Sequence, residues 1–306
     1  MTSLAIGSRD DPHVRAVAQA VGDGLVVLDA STLAESQFHF NPPSVYITQE
    51  QRTFQVEPGT PGWIRRLSPM DWEAGVTIGS HDAVTKASWL ALLASLLRHP
   101  DIQWLSPIDA TIAAENKLTQ YTTATRLGIA VPETHVTNME NAPCLEGGEF
   151  IAKPLGPGHF RDEDGNWLSV FTETFDPNCD DDLALLAGPP FLVQRRIRPS
   201  SHLRVTTVGD RAWVFRLPAE GLPIDWRQSV QAHHDWTPIT DDGISALAIR
   251  LARAHGLNYS SQDWLEVKGS LVFLDLNPSG QWLFLPAPES DEITREVARW
   301  LSQTWD

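Results

Sequence analysis

"LVFLDLNPSGQWLFL", residues 271–285, has the pattern of a buried strand that carries two polar side chains, Asp275 and Asn277, within an apolar run. Strand side chains alternate between the two faces of a sheet, so these two point the same way. Burying a carboxylate without a partner costs several kcal/mol, and Asp is depleted from strands. The stretch therefore predicts a sheet with a group beside this strand that offsets the buried acid.

The preceding strand, "QDWLEV" (262–267), carries a second acid, Asp263, and the connection to the quoted strand is short. Directly opposed residues share a face, so Asp263 meets Asp275 only if the connecting loop has an odd number of residues. A three-residue loop at 268–270 places the two acids opposite each other, whereas a two-residue turn at 268–269 places them on opposite faces. Gly269 suits both loops, and the sequence leaves the two alternatives open.

If the two acids meet, their like charges repel each other unless a cation lies between them. Asp263, Asp275 and Asn277 offer only oxygen ligands, which favours Mg²⁺ over zinc. The alternative is that the acids lie hydrated and unpaired at the strand ends. For three such residues on one hairpin, neither alternative is excluded.

Composition limits the class of protein. The chain has 306 residues with 42% hydrophobic positions and a formal net charge of −16, so it lacks the overall charge of a nucleic-acid-binding protein, although a local basic groove stays open. Cys144 and Cys179 are too few for a disulfide framework and predict reduced thiols. Because neither a signal peptide nor a membrane-length apolar run is found, we expect a cytoplasmic protein without a membrane partner.

The order of predicted elements indicates three domains. Strands at 4–7, 25–29 and 44–48, with helices at 13–21 and 82–99, predict a doubly wound α/β layer. A helix at 112–128 leads into strands between 150 and 217, with a hairpin at Gly209–Asp210. A helix at 243–255, a two-stranded unit and a final helix starting near Ser290 follow. We expect domain boundaries of 1–110, 111–190 and 191–306.

Other polar residues interrupt apolar strands. Lys153 in "FIAKPLGPGHF" precedes Gly156 and Gly158, and a lysine there can reach a phosphate while backbone amides approach the others, although a single strand lysine is more often an edge residue. Lys117, taken by itself, is typical of a solvated helix face. An arginine cluster is consistent with ordinary salt bridges; it comprises Arg195, Arg196, Arg198 and Arg204.

Together, the order of these motifs resembles the ATP-grasp ligases, in particular the microviridin-type (graspetide) synthetases that modify ribosomally made peptides, relatives of the ribosomal-protein glutamate ligases. The resemblance covers nearly the whole chain. Its motifs are "GWIRR" (62–66), "ENKLTQYTTATRLGIAVPETHVTN" (115–138), "IAKPL" (151–155), "FLVQRRI" (191–197), "DWR" (225–227) and "LDLNPSGQW" (274–282).

This resemblance implies an ATP-grasp fold with an N-terminal doubly wound α/β domain, a small central lid domain and a C-terminal antiparallel sheet domain. It implies ATP and Mg²⁺ as cofactors and the formation of an acyl phosphate, which an amine or hydroxyl then attacks. The implied roles are phosphate contacts for Lys117 and Lys153, adenine contacts for Gln194, Arg195 and Ile197, magnesium ligands in Asp263, Asp275 and Asn277, and carboxylate or acyl phosphate contacts for Arg204 and Arg227.

Two positions depart from the family pattern. Asp275 stands where the family usually has glutamate, and His202 stands at the acidic position of an Asp-x-Arg motif that is associated with the acidic core of the peptide. The His202 departure favours a ligase for small molecules, or one that adds an amino acid to a peptide end, as the alternative to a macrocycle-forming peptide ligase. A nucleotide-binding scaffold for a leader peptide is a third alternative. The resemblance leaves a homodimer open.

Overall fold

The computed structural model describes residues 2–49, 51–66, 79–138, 148–155, 159–161, 166–169, 172–179, 182 and 190–305. Within these ranges the chain forms five sheets, and its buried apolar residues form three large cores and one smaller cluster. In the same ranges no helix combines the length and the apolar character that crossing a bilayer requires.

The N-terminal part contains a four-stranded parallel sheet whose strands lie in the order 25–28, 3–6, 60–64 and 102–104. Its elements, and those of a small antiparallel sheet, are β1 (Ser3–Ile6), α1 (Pro12–Val21), β2 (Leu25–Leu28), β3 (Gln37–Asn41), β4 (Ser44–Gln49), β5 (Arg52–Val56), β6 (Thr60–Ile64), α2 (His81–Leu97) and β7 (Ile102–Trp104). The predicted parallel layer is confirmed, but the predicted strand at 44–48 belongs to the separate sheet β3-β4-β5. The strand that pairs with β1 in its place is β6, which is buried throughout.

The central part has two helices where the sequence predicted one at 112–128. Its elements are α3 (Ile108–Ala114), α4 (Lys117–Arg126), β8 (Thr134–Thr137), β9 (Phe150–Pro154), β10 (His159–Arg161), β11 (Trp167–Ser169), β12 (Glu173–Phe175) and β13 (Phe191–Arg195). The helix breaks because Asn116 takes an extended conformation and its side chain accepts a hydrogen bond from the amide of Thr119. Strands β12-β9-β13-β8 form one sheet. Gly156, Gly158 and Cys144 lie outside the described residues.

The C-terminal part contains an antiparallel five-stranded sheet whose strands lie in the order 237–239, 211–218, 201–208, 259–267 and 270–277. Its elements are β14 (Ser201–Val208), β15 (Arg211–Pro218), β16 (Thr237–Ile239), α5 (Asp242–Ala254), β17 (Tyr259–Val267), β18 (Ser270–Asn277) and α6 (Glu289–Leu301). The predicted hairpin is confirmed, with Gly209 at a φ of +56°. Ser290 lies in the first turn of α6 rather than before it.

The two faces of this sheet have different partners. Helix α5 buries Ile244, Ala248 and Leu251 on one face, in the core that contains Phe273 of β18. Helix α6 shares a second core with α1, through Val297 and Val17 among others. The N-terminal part therefore packs next to the segment that follows β18. The division of the chain at residues 110 and 190 stays a prediction.

Candidate active site

A cavity of about 610 Å³ lies between the sheet that contains β9 and β13 and the C-terminal sheet. Nine of the eleven residues that the sequence singled out line it: Lys117, Lys153, Gln194, Arg195, Ile197, His202, Arg227, Asp263 and Asp275. The other two, Arg204 and Asn277, lie on β14 and β18, which border the cavity. The fold therefore brings together residues that are far apart in the chain.

Asp263 and Asp275 are directly opposed across β17 and β18, and a β-bulge is the cause. The strands are joined by a two-residue turn, Lys268–Gly269, with a positive φ at both residues as in a type I′ turn. That turn by itself would place the acids on opposite faces. Pairing shifts by one residue between Trp264, which opposes Phe273, and Asp263, so that Leu274 is the extra residue.

The rule that an odd loop is required was therefore wrong, because it assumed an uninterrupted ladder. The bulge is fixed by contacts from the central part of the chain. The hydroxyl of Tyr121 donates a hydrogen bond to the carbonyl of Leu274 at 2.9 Å. Gln120 exchanges two hydrogen bonds with the backbone of Leu276, at 2.8 and 2.9 Å. Helix α4 thus covers the edge of β18 and holds its register.

Each acid of the pair is neutralised by a separate cation. Nζ of Lys117 lies 2.6 Å from Oδ1 of Asp275, and Nη1 of Arg204 donates to Oδ1 of Asp263 at 2.8 Å. Arg204 directly opposes Asp263 in the ladder between β14 and β17, so three neighbouring strands contribute to one row of charges. Because Arg204 is committed to Asp263 and to the carbonyl of Gln281, its guanidinium is held in the wall of the site.

Lys153 differs from the other cations. Among the residues that the structure describes, its ammonium has neither a hydrogen bond nor an ion pair. Burial, with the nearby charge of Lys117, lowers the pKa of Lys153 to about 8. The nearby charges of Asp275 and Asp225 offset this effect only in part, so an anion in the cavity would stabilise the ammonium further.

The residues predicted to contact adenine have distinct surroundings. Gln194 is 1% exposed, and its Nε2 donates to the hydroxyls of Tyr121 and Thr134 at 3.0 and 2.8 Å. Its Oε1 is buried without a partner among the described residues. Beyond β13, the amide and carbonyl of Ile197 take part in no backbone hydrogen bond within the described ranges. Arg195 pairs with Glu133 at 2.7 Å, so its side chain contributes to the rim of the cavity.

Arg227 forms a fork with a residue that the sequence analysis missed. Nε and Nη2 of Arg227 donate to the two carboxylate oxygens of Asp225 at 2.7 and 2.5 Å. Asp225 is buried, which by itself would raise its pKa, but the hydrogen bonds from Arg227 lower it below the usual range. The edge of Arg227 with which it was expected to bind a substrate carboxylate is therefore occupied. The motif "DWR" contained the information needed to find this pair, because Asp225 lies two residues before Arg227 in it.

His202 lies two residues before Arg204 on β14 and opposes Leu265. Burial lowers the pKa of His202, although the charges of Asp263 and Asp225 act in the opposite direction. The imidazole is therefore neutral at pH 7. The family's acidic position is thus occupied here by a neutral ring, in a cavity that already holds three paired carboxylates.

The described residues fit nucleotide and magnesium. Among them there is no group of three or more His, Cys, Asp and Glu side chains that could hold a metal ion. Two carboxylates and an amide oxygen from adjacent strands match Mg²⁺, which takes one or two carboxylates and completes its shell with phosphate and water. The unpartnered Lys153 and the unpartnered Oε1 of Gln194 lie in the same cavity, as an anionic group and a polar ring would require.

Three comparisons with known proteins bear on this geometry. No protein-family model matches the chain, and no curated protein matches it. A macrocyclase from Microcystis aeruginosa, MdnC, solved with its precursor peptide MdnA, is 21% identical with a TM-score of 0.81, and the match covers 99% of each chain. A ligase from Chryseobacterium gregarium, described as a RiPP-associated ATP-grasp ligase in complex with ADP and a leader and core peptide, is 19% identical, with a TM-score of 0.86 over 99% of this chain and 97% of its own.

Two further structures extend the comparison. The ATP-grasp ligase PsnB, solved with a minimal precursor, Mg and ADP, is 18% identical with a TM-score of 0.76 over 98% of each chain. The D-cycloserine synthetase DcsG is 15% identical with a TM-score of 0.58 over 99% of each chain. The fold that the sequence motifs implied is therefore confirmed: over nearly its whole length, this chain has the fold of the ATP-grasp ligases.

Proposed function

We propose that the protein is an ATP-dependent carboxylate ligase that forms ADP and joins the activated carboxylate to an amine or hydroxyl. The observation that carries the proposal is the opposed pair Asp263–Asp275, which shares one cavity with Lys153, a lysine without a hydrogen bond or ion pair among the described residues. Lys117 and Arg204 each pair with one of these acids in the free protein. ATP with Mg²⁺ would add one divalent cation, which both carboxylates can coordinate, and phosphate oxygens for Lys153.

The chain's own residues would act by positioning and by neutralising charge. Asp263, Asp275 and Asn277 hold Mg²⁺, which when bound offsets charge on the phosphates. Lys153 contacts phosphate, and Lys117 does so while keeping Asp275 oriented. Gln194 and the backbone at Ile197 hold the adenine. Arg227 lines, and Arg204 borders, the region where the carboxylate and its acyl phosphate would lie.

We infer a peptide as the substrate that carries the carboxylate. Support comes from the likeness to MdnC, PsnB and the Chryseobacterium ligase, which were solved with precursor peptides. A specific observation favours a second candidate, a small-molecule ligase: His202 places a neutral ring where an acidic residue is associated with the peptide core, and D-cycloserine synthetase has the same fold. A homodimer stays a prediction, which light scattering on the purified chain tests.

The first experiment measures thermal unfolding with and without ADP and Mg²⁺. At about 100 times its dissociation constant, a ligand stabilises the folded state by about 2.7 kcal/mol. We expect a magnesium-dependent rise in the midpoint for the wild type, which Lys153→Ala and Asn277→Ala lose. Lys86→Ala on α2, outside the cavity, is the matched control and should keep the full rise. A wild type that ADP does not stabilise would remove the proposed site.

A second experiment identifies the acceptor class. Short peptides encoded beside the gene, with an acidic tail that bears Ser, Thr or Lys, are mixed with the protein, ATP and Mg²⁺, and ADP release and a mass loss of one water per bond are measured. Peptide-dependent release with this loss supports the peptide ligase. Release that depends only on free amino acids supports the second candidate. Nucleotide binding with no release for either class supports a binding scaffold.

A further inference from the structure

A buried polar cluster lies outside the cavity, where the N-terminal part meets the segment after β18. It consists of Asp11 and His13 at the start of α1 and Arg65 directly after β6. Arg65 is 2% exposed, and its Nε lies 3.1 Å from Oδ2 of Asp11. His13 is also buried, and its Nδ1 lies 3.0 Å from Oδ1 of Asp11. Burying Arg65 and His13, with Asp11 partly buried beside them, is costly, so their arrangement needs a reason.

The cluster binds the backbone that follows Asn277. Nη1 of Arg65 donates to the carbonyl of Ser279, and Nε2 of His13 accepts hydrogen bonds from the amides of Trp282 and Leu283, at 3.1 and 3.4 Å. Because Nε2 accepts, the neutral ring carries its proton on Nδ1 and donates it to Asp11. Asp11 thus orients both side chains that contact the segment.

Two further buried side chains complete the contacts to this segment. The hydroxyl of Tyr259 donates to the carbonyl of Gly280 at 2.7 Å, and Nη2 of Arg204 donates to the carbonyl of Gln281 at 3.3 Å. Three consecutive carbonyls, those of residues 279, 280 and 281, therefore each accept a hydrogen bond from a different buried side chain. Such contacts fix the path of a segment that has no ladder of its own.

The segment is tied directly to Asn277. The amide of Ser279 donates to Oδ1 of Asn277 at 2.8 Å, and the carbonyl of that same Ser279 is the atom that Arg65 holds. The amide oxygen has two lone pairs, so this bond orients the oxygen and leaves one pair for a cation. The orientation of Asn277 is thereby linked, through one residue, to the cluster in the N-terminal part.

We propose that Arg65 and His13 are positioning residues that set the orientation of Asn277 and through it the affinity of the site for Mg²⁺ with nucleotide. The proposal rests on the proposed function, since it assigns a role to Asn277 at that site. Residues that orient a metal ligand typically change metal affinity by about 10–100-fold when they are replaced.

The test measures ADP binding by calorimetry twice, once with Mg²⁺ and once with EDTA. The dissociation constant in EDTA divided by the dissociation constant with Mg²⁺ reports the contribution of the metal alone, because a general loss of structure raises both constants alike. For Arg65→Lys and His13→Ala we expect this ratio to fall by about tenfold or more, with binding in EDTA changed far less. His13→Gln, whose side-chain oxygen can accept from the amide of Trp282, should recover most of the ratio.

Arg66→Ala is the matched control, since Arg66 is the exposed neighbour of Arg65 and should leave the ratio unchanged. Unfolding midpoints without ligand identify any variant that fails to fold. If one fails, the ratio for His13→Gln is compared with the wild-type ratio instead. A ratio that stays at the wild-type value in Arg65→Lys and His13→Ala overturns this inference alone. A wild type that does not bind ADP overturns the proposed function instead.

Discussion

The ammonium of Lys117 lies 2.6 Å from Oδ1 of Asp275, and a β-bulge at Leu274 is what turns that acid toward it. Without the bulge, Asp275 would lie on the α5 side of the sheet, among the apolar side chains of that core. One inserted residue therefore decides whether β18 contributes to the cavity or disrupts the core. Bulges beside functional sites commonly redirect a side chain in this way.

The first prediction concerns the position where this chain has aspartate in place of the usual glutamate. Asp275→Glu should retain the magnesium-dependent stabilisation by ADP, because the extra methylene still places two oxygens in the cavity. Asp275→Asn should lose most of this magnesium-dependent stabilisation and should also leave Lys117 without its ion pair. Thermal unfolding with ADP and Mg²⁺ checks both. Equal stabilisation of the two variants would argue against Asp275 as a ligand.

The second prediction concerns Lys153, whose replacement should raise the stability of the free protein but abolish the binding of ADP. Lys153→Met removes a partly desolvated charge that has no hydrogen bond or ion pair among the described residues, so the free protein should be more stable at pH 7 while ADP binding is lost. Chemical denaturation and calorimetry measure the two effects. A less stable free variant would show that the ammonium has a structural partner.

The pH dependence of Lys153 has a definite sign. Its pKa is lowered to about 8 in the folded protein, whereas an unfolded lysine has a pKa near 10.5. Between these values the unfolded state binds more protons, so this group makes the free protein more stable as the pH rises from 8 to 10. Lys153→Met should lack that part of the rise. Identical profiles for wild type and variant would contradict the lowered pKa.

The third prediction concerns the fork between Asp225 and Arg227. Asp225→Asn keeps the size but removes the charge, and should cost about 1–2 kcal/mol of unfolding free energy at pH 7. The pKa of Asp225 is lowered in the folded state, so its contribution is present above the unfolded pKa of 3.8 and is lost as the pH falls through the folded value. The difference from wild type in urea unfolding should therefore shrink below about pH 4. If the difference in unfolding free energy between Asp225→Asn and the wild type does not change with pH, the charge of Asp225 is not its cause.

Much of the fold follows from the sequence because its strands and helices have strong periodicity and its polar residues interrupt apolar strands. Asn116 is a typical N-cap residue and could have predicted the break, but the apolar residues on either side of it continue the helical pattern. The bulge could not be predicted from the sequence, since Leu274 is apolar like the residues before it and one inserted residue changes which face each later side chain occupies without changing the composition.

The buried cluster of Asp11, His13 and Arg65 could not be predicted from the sequence, for a different reason. In the sequence Asp11 is an acid before Pro12 and Arg65 is half of an arginine pair, and Ser279, which Arg65 contacts, lies more than two hundred residues further along the chain. Neither motif carries a local signal that it binds the other, because the contact arises only when the N-terminal part packs against the C-terminal sheet. The likeness to a family located the motif that contains Arg65 but neither Asp11 nor His13, and the structure shows that these residues contact one another.

The last prediction concerns Gly280, whose neighbours leave no room for a side chain. A Cβ at this position would lie 2.3 Å from Cβ of Ser261 and 3.2 Å from Nη2 of Arg204. Gly280→Ala should therefore displace the segment that follows Asn277, lowering the unfolding free energy by about 1–3 kcal/mol and weakening the magnesium-dependent part of ADP binding.

A second substitution tests whether this effect is steric. Ser261→Gly removes the atom that Gly280→Ala would meet, and the hydroxyl that it deletes is buried without a partner among the described residues. In a double-mutant cycle the two changes should compensate each other by about 1 kcal/mol or more, with recovery of magnesium-dependent binding. Ser260→Gly, the neighbouring residue whose hydroxyl bonds to Thr207, makes the same backbone change on the other face and should rescue neither property. Rescue by both, or by neither, would mean that Gly280 is required for a reason other than its contact with Ser261.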